Sequence, residues 1–244
     1  MKKPMENEGE EFQAATKYVR GGMPHKAVDF DHRPEQFKSY PDAIDVVALP
    51  EPDTTGGGPL FGLLATRRTR RTYRPEPLTL AVVSQLLWSA NGMTKQGRDV
   101  VFRTAPSAGA LYPIEIYVMA NRVDGLARGI YHYNVPDGLL SMIREGDYAE
   151  DAAQGCLGQP MLAKSGAVFF MTAVIERCRF KYHQRAYRYI YLDAGHIAQN
   201  LCLAAESLGL GTCPIGAFYD DEVNAILGVD GVDETFLYAV TVGK

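Results

Sequence analysis

The sequence predicts an α+β domain in which a mostly antiparallel sheet is packed by helices. Three observations carry this. "GIYHYN" and "LLSMI" flank "VPDG", a strong β-hairpin signal. "AVFFMTAV", residues 167 to 174, is a continuous apolar run of the kind that forms a strand covered on both faces. The longest helix then carries Ile190, Ala194, Ile197, Leu201, Ala204 and Leu208 at helical spacing. The order helices, hairpin, strand, long helix, strand is that of an α+β fold.

Each element has a local reason. Residues 1–58 are rich in charge, Pro and Gly and end in "EPDTTGGG", which reads as an extended arm with a flexible linker and no core of its own. Within it, "AIDVVALP" suits an added edge strand or a clamp. The domain proper is expected over residues 59–244. Pro59 suits the first turn of a short helix carrying Leu60, Leu63 and Leu64. Thr79 is a plausible N-cap for a second helix that buries Val83, Leu86, Leu87 and Ala90, and Asn91-Gly92 stops it. "IEIYVMA", residues 114 to 120, alternates like a half-buried strand. "FKYHQRAYRYIYLDAGH", residues 180 to 196, opens the longest helix, and Gly209 ends it. Ala194, Gly195, Ala198, Ala204 and Ala205 make that helix narrow enough for another backbone to approach closely. A short helix follows Asp220, and "FLYAVTV" is the last strand.

Composition excludes several function classes. A formal charge of -4 argues against whole-chain attraction to nucleic acid or anionic membrane. Cys156, Cys178, Cys202 and Cys213 show no C-x-x-C spacing, which disfavours a structural metal. With no signal peptide and no disulfide framework, a reducing cytoplasm is the expected location. The apolar runs are too short to span a bilayer.

Four stretches hold candidate chemistry. "RRTRRTYR" sets Arg67, Arg68, Arg70, Arg71 and Arg74 within eight residues of an acidic chain. Guanidinium forks match phosphate oxygens, although a solvated basic turn has the same pattern. "TAPSAGALYP", residues 104 to 113, is a rigid small-residue turn that a ligand can approach, with Ser107 offering a hydroxyl, or it is simply a loop. "GLGTCPIGAF", residues 209 to 218, can offer backbone N–H groups but fits neither nucleotide-binding Gly motif. In the fourth stretch, Lys181 and Tyr182 precede the long helix, where a lysine among cations would have a lowered pKa and could act as a base. The alternative is a lysine that is simply exposed. Asp193 and His196, one turn apart, favour a side-chain hydrogen bond or helix packing over a metal, since no third ligand follows.

In this order the four stretches resemble the nitroreductase superfamily of FMN enzymes, and within it the SagB/ThcOx-type dehydrogenases, over roughly residues 40–244. "RRTRRTY" is similar to the family's R-R-S-x-R phosphate signature, with Thr69 in the serine's place. "PSAGALYP" and "KYHQRAYRYIYLDAGHIAQNL" look like the subgroup's own segments, and "LGLGTCPIGAF" resembles the late Gly-rich loop. The resemblance implies a nitroreductase-like fold with its long central helix at a homodimer interface and FMN bound there. It implies that Arg67, Arg68, Thr69 and Arg71 hold the phosphate and that Lys244 is also cofactor-binding. It places Pro106, Ser107, Ala108 and Gly109 along the flavin, and Pro214, Ile215 and Gly216 near its ring system. It makes Lys181 and Tyr182 the catalytic pair.

The activity so implied is oxidation of a thiazoline or oxazoline in a modified peptide, with a cyclodehydratase and a precursor peptide as possible partners. A general NAD(P)H-dependent nitro- or quinone reductase is the alternative on the same scaffold. A non-catalytic protein whose Arg cluster binds RNA or another anion is the reading from a different class.

Overall fold

The computed structural model describes residues 7–22, 28, 32–97 and 100–244. From the N-terminus the elements are α1 (Glu8–Ala15), β1 (Asp45–Ala48), α2 (Leu60–Thr66), β2 (Leu78–Thr79), α3 (Leu80–Asn91), β3 (Met93–Gln96), β4 (Val101–Arg103), β5 (Ile114–Ala120), β6 (Val123–Asp124) and β7 (Gly129–Asn134). They continue with β8 (Leu139–Glu145), α4 (Ala149–Gly155), α5 (Met161–Lys164), β9 (Ala167–Val174), α6 (Glu176–Tyr182), α7 (Ala186–Ser207), β10 (Gly211–Ile215), α8 (Asp220–Leu227) and β11 (Glu234–Gly243). Seven strands form one sheet in the order β1-β8-β7-β5-β9-β11-β10. Every neighbouring pair in it is antiparallel.

Helices cover both faces of this sheet. On one side, Val83, Leu86 and Leu87 of α3 and Ile190, Ile197 and Leu201 of α7 pack with Ile116, Val118, Phe169 and Val240. On the other, Ala152 and Ala153 of α4 and Val223 and Leu227 of α8 pack with Tyr117, Met119, Phe170 and Phe236. Alternate residues of one strand therefore enter two cores, as the period of two requires. β5 is buried at all seven positions, not half-buried as its alternation suggests. Its polar-looking face is an internal one, because Glu115 and Tyr117 enter a buried polar network.

Local chemistry sets the element ends. Thr79 caps α3: its Oγ1 accepts from the Val82 N–H. Gly92 follows the last turn of α3 with extended backbone, so it stops the helix without using the left-handed region. Gly209 does use that region, at φ 70° just beyond α7. β1 is the edge strand expected from "AIDVVALP" and pairs with β8. Around the Gly-rich segment, Asp53 Oδ1 accepts from Thr55 and Gly56, and Gly58 N–H donates to Ser207 Oγ at 2.7 Å. The first two bonds fold the segment on itself, and the third ties it to the end of α7.

One buried cluster fixes α6. Glu115 on β5 is 4% exposed and accepts from His132 Nε2 at 2.8 Å and from Arg177 Nη1. Arg177 lies on α6 and is itself buried, and its Nε donates to the Glu35 carbonyl. Burial alone would raise the Glu115 carboxyl, but the bond and charge of His132 and the charge and bond of Arg177 outweigh it and bring it to about 2. Next to it, Glu234 accepts from Lys38, Tyr117 and Thr172.

Glu115→Gln leaves Arg177 without its counter-charge in a dry site, which costs about 3–5 kcal/mol for a broken buried pair. Chemical denaturation at neutral pH measures it. Because the folded carboxyl lies below its unfolded value of about 4.3, its stabilisation is full above that pH and fades as pH falls toward 2. The acid limb of the stability curve should therefore be shallower in Glu115→Gln than in the parent.

Candidate active site

The loop between β4 and β5 is tightly wound. Gly109, Ala110 and Tyr112 have φ of 64°, 53° and 47°. Two non-glycine residues in the left-handed region mark a backbone held by its surroundings. Ser107 is the pin: its Oγ donates to Asp193 Oδ2 at 2.5 Å and accepts from the Tyr112 N–H at 2.9 Å. Asp193 is buried on α7. Burial raises its carboxyl, and the bonds from the Ser107 hydroxyl and the Ala108 N–H offset part of that rise.

Lys181 and Tyr182 meet this loop. Gly109 is the point of contact: a Cβ there would lie 2.6 Å from the Tyr182 hydroxyl and 3.0 Å from Lys181 Nζ. The absence of a side chain at residue 109 lets both tips reach the backbone. Lys181 Nζ also stands 5.3 Å from the Tyr182 ring centroid, and Tyr182 packs edge-on against Tyr189 at 4.8 Å. Burial pushes the Tyr182 phenol up, and Cys178, Tyr189 and Asp193 add to it, so the phenol keeps its proton at neutral pH. Both residues are partly buried.

From the sequence, this pair is expected just ahead of the N-terminus of the long helix. The structure instead puts both residues in the last turn of a separate helix, α6. His183 at φ 48° and a 3₁₀ turn over His183–Arg185 divide α6 from α7. A cation at the C-terminal end of a helix is favoured by the dipole, so the electrostatic argument built on a helix N-terminus does not apply.

A second group lies elsewhere. Thr69 forms a parallel bridge with Thr212 on β10, and the Arg70 N–H donates to the Thr212 carbonyl at 2.8 Å. Arg68 Nη1 donates to the Ala65 and Arg67 carbonyls. Burial raises the Cys213 thiol, and Arg71 beside it offsets part of that rise. Among the described residues, Arg67, Arg68, Arg70 and Arg71 make no ion pair with a carboxylate, whereas Arg74 pairs with Glu76 at 3.3 Å. Lys244 joins Glu76 as well, at 3.7 Å, and its carbonyl accepts from the Arg74 N–H. Lys244 thus sits with Arg74 and not with Arg71. Pro214 and Ile215 lie on β10 opposite Val240 and Ala239, and Gly216 is exposed beside the Tyr238 ring.

The two groups flank α7. Asp193 touches the first, and Cys202 feels the charge of Arg67 in the second. Nine residues separate them, about 14 Å along the axis and half a revolution around it. Within one chain, then, Pro106–Gly109 with Lys181 and Tyr182 and the Arg67–Arg71 group with Pro214–Gly216 stand on opposite flanks of one helix.

The donor chemistry suits an anionic flavin. Four arginines without a carboxylate partner stand beside a strand of small and apolar residues, and the other group offers a hydroxyl, a phenol and a lysine against an open backbone. Asp193 and His196 form no metal site, and no His, Cys, Asp or Glu group among the described residues is arranged to hold one. Glu115 and Arg177, which seat α6, escaped the sequence reading. The signal was present: a glutamate inside an apolar strand needs a buried partner.

Residues 64–244 match the Nitroreductase family. The chain belongs to that family and is an oxidoreductase of it. The Methanocaldococcus jannaschii protein MJ1384, named as a nitroreductase, is 40% identical over 170 residues, which are 70% of this chain and 84% of that one. The trifolitoxin-processing protein TfxB of Rhizobium leguminosarum is 31% identical over 70% of this chain, and the match spans only 48% of TfxB. A Ralstonia eutropha crystal structure described as a nitroreductase superposes with a TM-score of 0.70 at 27% identity, covering 82% of this chain and 89% of that one. A chain of the Escherichia coli microcin synthetase McbBCD complex with truncated pro-MccB17 bound shares the fold, with a TM-score of 0.63 at 19% identity, covering 97% and 91%. So does a Desulfovibrio desulfuricans protein solved in complex with FMN, with a TM-score of 0.55 at 17% identity, covering 77% and 87%.

Gly109→Ala forces the Lys181 and Tyr182 tips aside and places a side chain at φ 64°. The cost in stability should be about 1 kcal/mol, because the tips are movable and the main charge is the left-handed backbone. Denaturant midpoints measure it, and a change in tyrosine near-ultraviolet circular dichroism should accompany it.

Proposed function

We propose that this oxidoreductase is an FMN-dependent dehydrogenase of the azoline type, converting a thiazoline or oxazoline in a modified peptide to the azole. The observation that carries the reading is the adjacent Lys181–Tyr182 pair held against the Ser107–Gly109 loop. The likeness to TfxB, a processing protein by name, and the shared fold with the McbBCD complex support it. They also motivate a cyclodehydratase and a precursor peptide as partners.

Arg67, Arg68, Thr69 and Arg71 would hold the FMN phosphate. Ser107, with Pro106, Ala108 and Gly109, would line the cofactor, as would Pro214, Ile215 and Gly216. Lys244 would add its charge at the edge of this group, through Arg74 and Glu76. When bound, FMN supplies the two-electron acceptor for the C–H bond that breaks. Lys181 Nζ takes the proton released from the azoline ring, and the protonated Tyr182 hydroxyl orients the ring nitrogen by hydrogen bonding. Asp193 keeps Ser107 in place, and Glu115 through Arg177 keeps α6 in place; both are positioning residues.

A homodimer belongs to the same proposal. The two groups stand on opposite flanks of α7, so a second copy could bring one of each together. Surface apolar residues give such a contact material: Phe61 on α2 is 85% exposed and Leu192 on α7 is 59% exposed. Gly195 is exposed, and among the described residues nothing lies within 4 Å of where a Cβ would sit, which leaves room for close approach. The alanines expected to serve there, Ala194, Ala198 and Ala205, are spent in the chain's own core. A cytoplasmic setting is part of the reading, since all four cysteines are free. The likeness to MJ1384 and the Ralstonia eutropha protein favours a second reading, a general NAD(P)H-dependent nitro- or quinone reductase.

Flavin released from the purified protein should chromatograph as FMN, with FAD as the contrary outcome. Arg71→Ala should lower flavin occupancy, since a lost charged hydrogen bond costs about 1.5–3 kcal/mol.

Lys181→Ala should keep its flavin and lose oxidation of an azoline peptide by about 10²–10⁴-fold, the scale of a missing general base. The readout is the rate of flavin bleaching under anaerobic mixing, at matched occupancy. An unchanged rate would favour the general reductase.

A further inference from the structure

We propose that the N-terminal arm supplies Lys17 and Tyr18 as the outer wall of a pocket over Lys181 and Tyr182, and that this pocket takes a carboxylate of the substrate. This rests on the reading that Lys181 and Tyr182 face substrate. A cavity of about 360 Å³ lies between the arm and the end of α6, bounded by Thr16, Lys17, Tyr18, Lys181, Tyr182 and Arg185. Its described lining contains Lys17, Lys181, Arg185 and His183 and not one carboxylate. A concave site with cations on opposite walls and aromatic rings between them suits a small anion attached to a flat or extended ligand. One of those cations has capacity left: Arg185 Nε is buried without a hydrogen-bond partner among the described residues.

The first described stretch of the arm, residues 7–22, is attached through the end of α1. Among the described arm residues Thr16 is the one that is buried, at 5% exposure. Thr16 and Gln13 end α1, and their carbonyls would lack partners there. Arg185 Nη1 donates to the Thr16 carbonyl at 2.9 Å, and Arg188 Nη2 donates to the Gln13 carbonyl at 2.6 Å. Arg188 Nε donates to Thr16 Oγ1 at 2.7 Å. The Arg185 guanidinium also lies over the Tyr18 ring at 4.9 Å. Two arginines at the junction of α6 and α7 therefore hold the wall in place. Arg188 does so from outside the cavity, so it can be changed without altering the lining.

The test uses the flavin-loaded full chain and titrates benzoate against its uncharged isostere benzamide by calorimetry. Benzoate should bind at least tenfold more tightly than benzamide. Lys17→Gln should weaken benzoate about threefold, as suits an exposed charge. Arg188→Met should weaken it about tenfold, through the lost charged hydrogen bonds that hold the wall. Flavin content should stay unchanged in both variants. Equal binding of the two probes, no benzoate binding at millimolar concentration, or parental affinity in both variants would overturn the proposal. Loss of flavin in the variants would also overturn it, by assigning the cations to the cofactor phosphate. None of these readouts needs an azoline, so failure of the dehydrogenase reading would show separately, as inactive azoline peptide with intact benzoate selectivity.

Discussion

Glu115 is the charge on which the arrangement of the candidate site depends. It stands in a strand covered on both faces, where an ionised carboxylate is tolerated only with full compensation. His132 from the neighbouring strand and Arg177 from α6 provide it. The requirement works in both directions: Arg177 is as buried as Glu115 and has no alternative carboxylate among the described residues. α6 is thereby seated on the sheet at one register. Lys181 lies one helical turn beyond Arg177, so the register of that buried pair sets where Lys181 and Tyr182 emerge.

The break after α6 follows from the same seating. α6 must end beside the Ser107–Gly109 loop, while α7 must run across the sheet to bury Ile190, Ile197 and Leu201. One continuous helix cannot serve both directions. His183 in the left-handed region and a turn of 3₁₀ helix make the change of direction. The Asp193–Ser107 bond then ties the loop to α7, about two turns from where its buried face begins at Ala186. Three elements far apart in sequence are locked by two buried acids, one for α6 and one for the loop.

Much of the fold was legible in the sequence because its signals are local. Thr79, the "VPDG" turn, the run at 167 to 174 and Gly209 act through their own backbone or through a simple period. The structure joins "PSAG" with Lys181-Tyr182 through Gly109, two stretches that the sequence singles out. What escaped depended on distant partners. β5 alternates apolar with polar, but Glu115 meets its partners 17 and 62 residues away, so an inner face looked like an outer one. The run of helix formers from 176 to 207 concealed a break whose cause lies in tertiary packing. The small residues of α7 were legible as a narrow helix, but which neighbour uses the narrowness is a three-dimensional question, and here much of it goes to the sheet.

Under the proposed function, α7 would separate two halves of one flavin site, one built on Ser107–Gly109 with Lys181 and Tyr182, the other on Arg67–Arg71 with Pro214–Gly216. A crystal structure of the flavin-loaded protein tests it most directly. The account predicts two copies related by a twofold axis, each flavin touching the arginine group of one copy and the Ser107–Gly109 loop of the other. A flavin held wholly by one copy, or bound away from Lys181 and Tyr182, would contradict it.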